Sequence, residues 1–448
     1  MQSLINDRKV GQISPGEFCR TLTESGYSAL AQNCFQNVFP INCHNNAAVN
    51  SLSLETQDFQ FLLSGCADSS IKLWDLHFQE QLSSQNDVDD ELPDYDNPVR
   101  VFKNIATVPR KSYHDFGVSC IQWWPVDTGM FVSGSFDHTI KVWDTNELSV
   151  AYEFNLNNRV YSFDTNYENT LIATASDQPF IRLLDLRSAS SAHTLTGHKE
   201  KTLCVKWHPR NPNLLASGGF DGEVKVWDIR RSTACLCRLD MLRTSSSVQA
   251  KGNLSRDSVK AHSAPVNGLV WDPLGTTLFS AGNDDRIRVW DMLSFTYPPV
   301  NKLTSFGPLM RNKYLQTIPI TLNYRYESEL QHLIFPSDNS DIFVFRTIDG
   351  KLVKRLNRKG SKNIGRTCSI AMGAPFSNRF YCGTIDGEIL AFSPILNTVK
   401  KSDIIDQTYV LHQAQIHGAS LSVGSDDELI KKARLAVKSG NSLDIDKL

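Results

Sequence analysis

Residues 217–228 read SGGFDGEVKVWD, and three other stretches repeat the phrase: SGCADSSIKLWD at 64–75, SGSFDHTIKVWD at 133–144 and SAGNDDRIRVWD at 280–291. In each, an Asp stands six places before a Trp: Asp68 and Trp74, Asp137 and Trp143, Asp221 and Trp227, Asp284 and Trp290. Runs such as IKLW and VKVW combine β-branched residues with one large aromatic, which suits a strand packed on both faces. The Phe-Asp-Gly or Asn-Asp-Asp ahead of such a run is a tight turn. A strand unit that returns about every 40 residues is one blade of a β-propeller, an architecture that presents surfaces rather than a single catalytic cleft.

A His precedes each unit. The motifs resemble WD repeats, and the resemblance implies one buried polar network per blade, in which the His meets the turn Asp, a strand Ser and the Trp indole N–H. The matching sets are His44/Ser64/Asp68/Trp74, His114/Ser133/Asp137/Trp143, His198/Ser217/Asp221/Trp227 and His262/Ser280/Asp284/Trp290. A Ser-His-Asp set invites a catalytic reading. Fourfold recurrence is better explained by satisfied buried groups that lock each blade. Three weaker repeats complete the ring: Ser176–Asp185 with Leu184 at the Trp position, Asp338–Phe345, and Cys382–Phe392. The expected fold is all-β, a seven-bladed WD-repeat β-propeller with a short N-terminal helix-loop-helix. The stretch Cys34–Cys43 is expected to add an outer strand to the last blade and so close the ring.

Composition fits one propeller with extensions: 448 residues, 41% hydrophobic, net charge −2. That charge argues against a protein that coats nucleic acid, so direct nucleic-acid binding is not expected. No 18-residue apolar run marks a membrane span, and MQSLINDRKV lacks the order of a signal peptide. Ten cysteines are scattered, and Cys235-x-Cys237 does not match the paired spacing of a zinc site. Thiols in a reducing compartment are expected, with no metal, cofactor or small-molecule substrate.

The domains expected are a helical hairpin at 1–33, a propeller at 34–394 with inserts at 77–112 and 238–260, and a polar tail at 395–448. The first insert carries Asp87, Asp89, Asp90, Glu91, Asp94 and Asp96, and reads as a solvated loop or a contact for a basic partner. The second is Ser-rich and reads as a loop. Within the mostly disordered tail, Asp426–Lys438 has the charge order and apolar spacing of a short helix. Lys351, Lys354, Arg355, Arg358, Lys359, Lys362 and Arg366 form a basic cluster without interleaved aromatics, read as a solvated loop or an attraction for nucleic acid or an acidic peptide. In the hairpin, Ser14 reads as an N-cap, with Pro15 at the first helical position and Glu17 completing a capping box. Phe18, Leu22, Tyr27 and Leu30 give an apolar stripe that either packs on the blades or plugs a partner's groove.

The stretch Trp124–Phe131 (WPVDTGMF) running into SGSFDHTIKVWDTNEL resembles the second blade of the Cockayne syndrome group A protein family. LDLRSASSAHTLTGHKE, VKVWDIRRSTACL, the segment at 261–291 and the N-terminal hairpin resemble that family too. The similarity covers Met1 to about Pro394 and suggests a fungal-type or divergent member. It implies a non-enzymatic, nuclear substrate receptor of a cullin-4 ubiquitin ligase, acting in transcription-coupled repair at stalled RNA polymerase II. The implied partners are the ligase's large adaptor subunit, the polymerase and a group B Swi/Snf-type translocase. Docking would use Phe18 and Leu22 of the hairpin and the Arg of Trp-Asp-x-Arg. Trp227-Asp228-Ile229-Arg230 matches in full, and Leu184-Asp185-Leu186-Arg187 lacks only the Trp. A planar cation at a rim suits an interface; the alternative is an ordinary exposed Arg. A WD scaffold of another nuclear complex, chromatin or RNA-processing, without ligase docking is the other reading.

Overall fold

In the computed structural model, seven sheets follow one another along the chain, antiparallel except for one short parallel pair in the first. The residues described are 2–30, 37–38, 44, 46–81, 100–166, 168, 170–231, 235–244, 259–293, 299–323, 331–356, 365–375 and 378–393. The seven-bladed propeller read from the repeats is the fold observed. The innermost strands of blades one to seven are Val49–Leu54, Val118–Trp123, Val160–Asn166, Thr202–Trp207, Val266–Trp271, Thr321–Leu322 and Thr367–Met372. Outside blade one, whose third strand runs on past Trp74, the third strand of each blade ends at or beside the Trp or its substitute, as Val224–Asp228 does in blade four and Phe180–Asp185 in blade three.

Packing closes the ring. Seven apolar clusters lie one in each gap between neighbouring blades. Trp227 joins Ala173, Ile181 and Leu183 of blade three to Val205 and Leu215 of blade four. The gap between blades seven and one is filled by Ala371, Tyr381, Ile389 and Ala391 against Val49, Leu52, Leu62 and Trp74. There Ser369 Oγ also donates to the Val49 carbonyl at 2.9 Å. A β-bulge recurs near the start of six innermost strands, for example between Val118 and Cys120 and between Thr202 and Cys204. Such a bulge adds local twist, which lets strands converge on an axis.

Ring closure corrects one expectation. Within Cys34–Cys43, the described pair Asn37–Val38 pairs in parallel with Arg100–Val101 of blade one, and it lies next to Ile389–Phe392 of the last blade without joining that sheet. The reason is the first insert, whose ends are not loop. Blade one's third strand runs on from Ile71 to Gln81 and its fourth begins at Arg100, so this blade alone offers a long outer edge. Blade seven has three strands among the described residues. The second insert is likewise ordered at its ends: Cys235–Arg238 is a strand, and Leu239 and Ala261 are fully buried. Residues 82–99 and 245–258 and the tail, with its helix expected at Asp426–Lys438, lie outside the described residues.

The hairpin forms α1 (Gln2–Lys9) and α2 (Pro15–Ala29). Ser14 accepts the Glu17 N–H while the Glu17 carboxylate accepts the Ser14 N–H, a complete capping box. Tyr27 and Leu30 are fully buried in the cluster between blades six and seven, beside Ile334, Val344, Phe380 and Phe392. The C-terminal part of the stripe is therefore core.

Trp227→Ala is expected to lower the unfolding free energy by ~3–5 kcal/mol through lost burial. Trp227→Phe, which mainly removes the N–H, should cost only ~1–2 kcal/mol. Urea titration of both checks the division; equal losses would mean that the indole N–H, and not apolar burial, carries the cost.

Candidate functional site

Two faces of the propeller carry different chemistry. Because each blade is an up-and-down meander, the loop entering it and its second turn open on one face, and the Trp-Asp end of its third strand opens on the other.

The first, the His face, holds the four polar sets. The structure brings together His114 Nδ1 and Asp137 Oδ2 (2.7 Å), His114 Nε2 and Ser133 Oγ (2.7 Å), and the Trp143 N–H and Ser133 Oγ (2.7 Å). His198, Asp221, Ser217 and Trp227 repeat this, with 3.1 Å between His198 Nδ1 and Asp221 Oδ2. So do His262, Asp284, Ser280 and Trp290, joined by the Arg288 guanidinium on Asp284. Blade one differs. His44 Nδ1 meets Ser70 Oγ at 3.0 Å, and Ser70 in turn bonds Asp68, so Asp68 reaches its His only through a hydroxyl. His44 Nε2 and the Trp74 N–H still converge on Ser64.

Burial opposes ionisation of Asp137 and Asp221, yet the His114 and His198 bonds and backbone N–H donors outweigh it and bring both carboxyls down to about 2. Burial, with Lys72 nearby and against the Asp68 charge, holds His44 down at about 4. Two sets bring metal-type ligand atoms within 4.8 Å of one another: His198, Asp221 and Glu223, and His44, Cys66 and Asp68. Their atoms are already engaged. His198 spends its nitrogens on Asp221 and Ser217, Glu223 lies 2.7 Å from the Lys225 ammonium, and burial pushes the Cys66 thiol up, which keeps it protonated.

On the Trp-Asp face a second local rule operates. The Trp-Asp carboxylate accepts the N–H of the residue two places on: His77 from Asp75, Asn146 from Asp144, Arg187 from Asp185, Arg230 from Asp228 and Leu293 from Asp291. This Asx turn fixes where the residue after Trp-Asp-x emerges. At Arg230 it does more. Nε donates to Asp228 Oδ1 at 3.0 Å and Nη2 to Oδ2 at 2.9 Å, a fork in which the Arg side chain is 62% exposed and the Asp 8%. Those side-chain bonds hold the Asp228 carboxyl below its usual range. Arg187 is exposed and makes no such fork among the described residues. Reading the sequence identified the Arg but missed Asp228 as its holder, although the two-residue spacing was a usable signal.

The hairpin sits on this same face. Glu24 pairs with Arg346 at the end of blade six's third strand, Gly26 abuts Asn378 in the first turn of blade seven, and the Tyr27 ring lies 4.9 Å from the buried His332 ring. Burial holds His332 at about 4, the Glu24 charge opposing and Arg346 assisting. Phe18 is half-buried and Leu22 is 40% exposed, so of the two stripe residues nearer the start of α2 it is Leu22 that faces outward. In the basic cluster, Arg355 is paired with Asp341 (2.6 Å) and Arg366 with Asp338 (3.2 Å), acids that the fold brings from another turn. Arg358, Lys359 and Lys362 lie outside the described residues.

Four WD domain, G-beta repeats match at residues 35–75, 107–144, 189–228 and 254–291. The chain is a WD-repeat β-propeller, a fold that typically serves as a non-catalytic scaffold. It is similar to the WD repeat-containing protein ATCSA-1 of Arabidopsis thaliana, 29% identical over 383 residues, 70% of this chain and 81% of that one. It is similar also to the Radiation-sensitive protein 28 of Saccharomyces cerevisiae, 27% identical over 285 residues, 58% of this chain and 55% of that one. A Ribosome biogenesis protein WDR12 homolog of Drosophila mojavensis is 28% identical over 184 residues, 40% of this chain and 41% of that one. The chain thus spans little more than half of the yeast protein and less than half of the fly protein.

Histidines held neutral by burial set a pH dependence. With His44 and His332 folded at about 4 against 6.5 unfolded, the unfolded chain binds more protons between those values. Stability should therefore fall as pH drops from 6.5 towards 4, and fall further towards 2 as Asp137 and Asp221 protonate. Urea midpoints at pH 7, 5.5 and 4.5 check this; a flat profile would contradict it.

Proposed function

We propose that this protein is a non-catalytic, nuclear substrate receptor of a cullin-4 type ubiquitin ligase that acts in transcription-coupled repair at stalled RNA polymerase II. One observation carries the reading: the outward side of the hairpin and the forked Arg230 share the Trp-Asp face, so one partner surface can engage both. Arg230 enters such an interface with its guanidinium already oriented, which reduces the ordering cost of binding. Phe18 and Leu22 supply the apolar anchor, and the exposed Arg187 of the neighbouring blade adds a second cation. The partner on this face is the ligase's large adaptor subunit. The polymerase and a group B Swi/Snf-type translocase are the partners presented to the ligase. Supporting the repair setting are the resemblance of the 124–144 and hairpin stretches and the names of the Arabidopsis and yeast relatives. The similarity to a ribosome biogenesis protein supports the second reading, a WD scaffold of another nuclear complex without ligase docking.

Deleting the hairpin is a poor test, because it would strip Tyr27 and Leu30 from the core. Surface variants separate docking from folding. Arg230→Ala and Leu22→Glu should each keep the melting temperature of the parent chain and weaken adaptor binding about tenfold or more. Affinity capture with mass spectrometry, comparing the full chain with the double variant, reads this directly. A cullin-4 adaptor captured by the full chain and lost from the variant supports the proposal. Identical partner sets without a ligase component would sink it in favour of the scaffold.

A further inference from the structure

On the His face, remote from Arg230 and the hairpin, the turns of blades two and three enclose an open cleft of about 520 Å³. Phe116, Phe136, His138, Arg159 and Tyr161 line it, and none of these is a carboxylate. Phe116 precedes the first strand of blade two and is 63% exposed, which leaves its ring open to the cleft it lines. Phe136 meets Tyr161 edge to face at 6.2 Å. The Tyr161 hydroxyl donates to Asp177 at 2.5 Å, and burial together with that carboxylate pushes the phenol up to about 12, so it stays a donor. The Lys201 ammonium sits 5.3 Å from the Tyr161 ring and 5.2 Å from the Phe220 ring. At the rim, Arg159 and His138 are exposed.

We propose that this cleft is a peptide-docking site that takes an extended partner segment with a large apolar side chain next to a carboxylate. The apolar side chain enters between Phe116, Phe136 and Tyr161, and the carboxylate forks onto Arg159. Shape and charge argue for that occupant. The cleft has room for a large side chain together with flanking backbone, an apolar wall, and at its edge the exposed Arg159, for which no ion pair is found among the described residues. A stacked nucleic-acid base fits less well, because the Tyr161 and Phe220 rings are already covered by Lys201 and tied by Asp177. The site stands apart from the ligase reading and would serve either a receptor or a scaffold.

Fluorescence anisotropy on the full chain tests it. The probe is a fluorescein-labelled dodecapeptide with a central Leu-Trp-Asp-Glu in a Gly-Ser frame. Controls replace Leu-Trp by Ser-Ser or Asp-Glu by Lys-Lys, and labelled oligothymidine is a third ligand. The expected result is binding of the probe in preference to all three, weakened about tenfold or more by Phe116→Ser and by Arg159→Glu and unchanged by Arg230→Ala. Arg159→Glu alters only an exposed side chain, so the test survives if Phe116→Ser perturbs folding. Equal binding of either control peptide, preference for oligothymidine, or full affinity in Arg159→Glu would each overturn the proposal.

Discussion

A buried serine hydroxyl is the joint on which each well-formed blade depends. Ser64, Ser133, Ser217 and Ser280 are fully buried, and each accepts a Trp indole N–H at 2.7–2.9 Å. Each also lies 2.7–2.8 Å from a His Nε2. One oxygen thus ties the second strand, the third strand and the entering loop. Leaving the indole donor unmet in so dry a place would cost on the order of 1–3 kcal/mol, so the Trp, the Ser and the His are retained or lost as a group.

Degenerate blades follow that logic. Blade three has Leu184 in place of the Trp and therefore no indole N–H to satisfy; Thr174, at the Ser position, turns its hydroxyl to the Arg182 carbonyl. In blade six, Phe345 replaces the Trp and Phe335 the Ser, and the site becomes wholly apolar. In blade seven, Phe392 and Cys382 take the two positions, and burial pushes the thiol far up, leaving it a neutral filler. Polar and apolar solutions fill the same volume, and the ring holds both because every gap between blades is closed by its own cluster.

Repeat number, strand positions and the hairpin cap were legible, because each rests on contacts within one unit: Asp137 with Thr139, Ser14 with Glu17. What stayed hidden depends on distant partners. The ends of the acidic insert look like loop in composition, yet they continue the sheet of blade one, and Asn37–Val38 lies against the edge they form. Residues 311–318 have no periodicity at all, but Asn267 and Asn312 exchange amide bonds at 2.9 and 2.8 Å, and Gln316 reaches across the ring to Asn50 at 3.2 Å. No local pattern announces such a strap. At the candidate docking face, Arg230 was visible as a motif, whereas its fork to Asp228 and the split of the hairpin stripe into buried Tyr27 and exposed Leu22 needed coordinates.

The same carboxylate serves structure and presentation on the Trp-Asp face, and this shapes what can vary there. Asp75, Asp144, Asp185, Asp228 and Asp291 all shape the following turn through a backbone N–H, so the turn survives whatever side chain stands two places on. His, Asn, Arg and Leu occupy that position in different blades with no change of backbone role. A cation can be gained or lost there almost independently of folding, since it adds nothing to the gap clusters. Arg230 uses this freedom and then recruits the Asp's remaining capacity, its second oxygen, for the fork. A propeller built this way can vary its surface chemistry one rim residue at a time, while the Ser–Trp–His joints near the other face keep the blades in place.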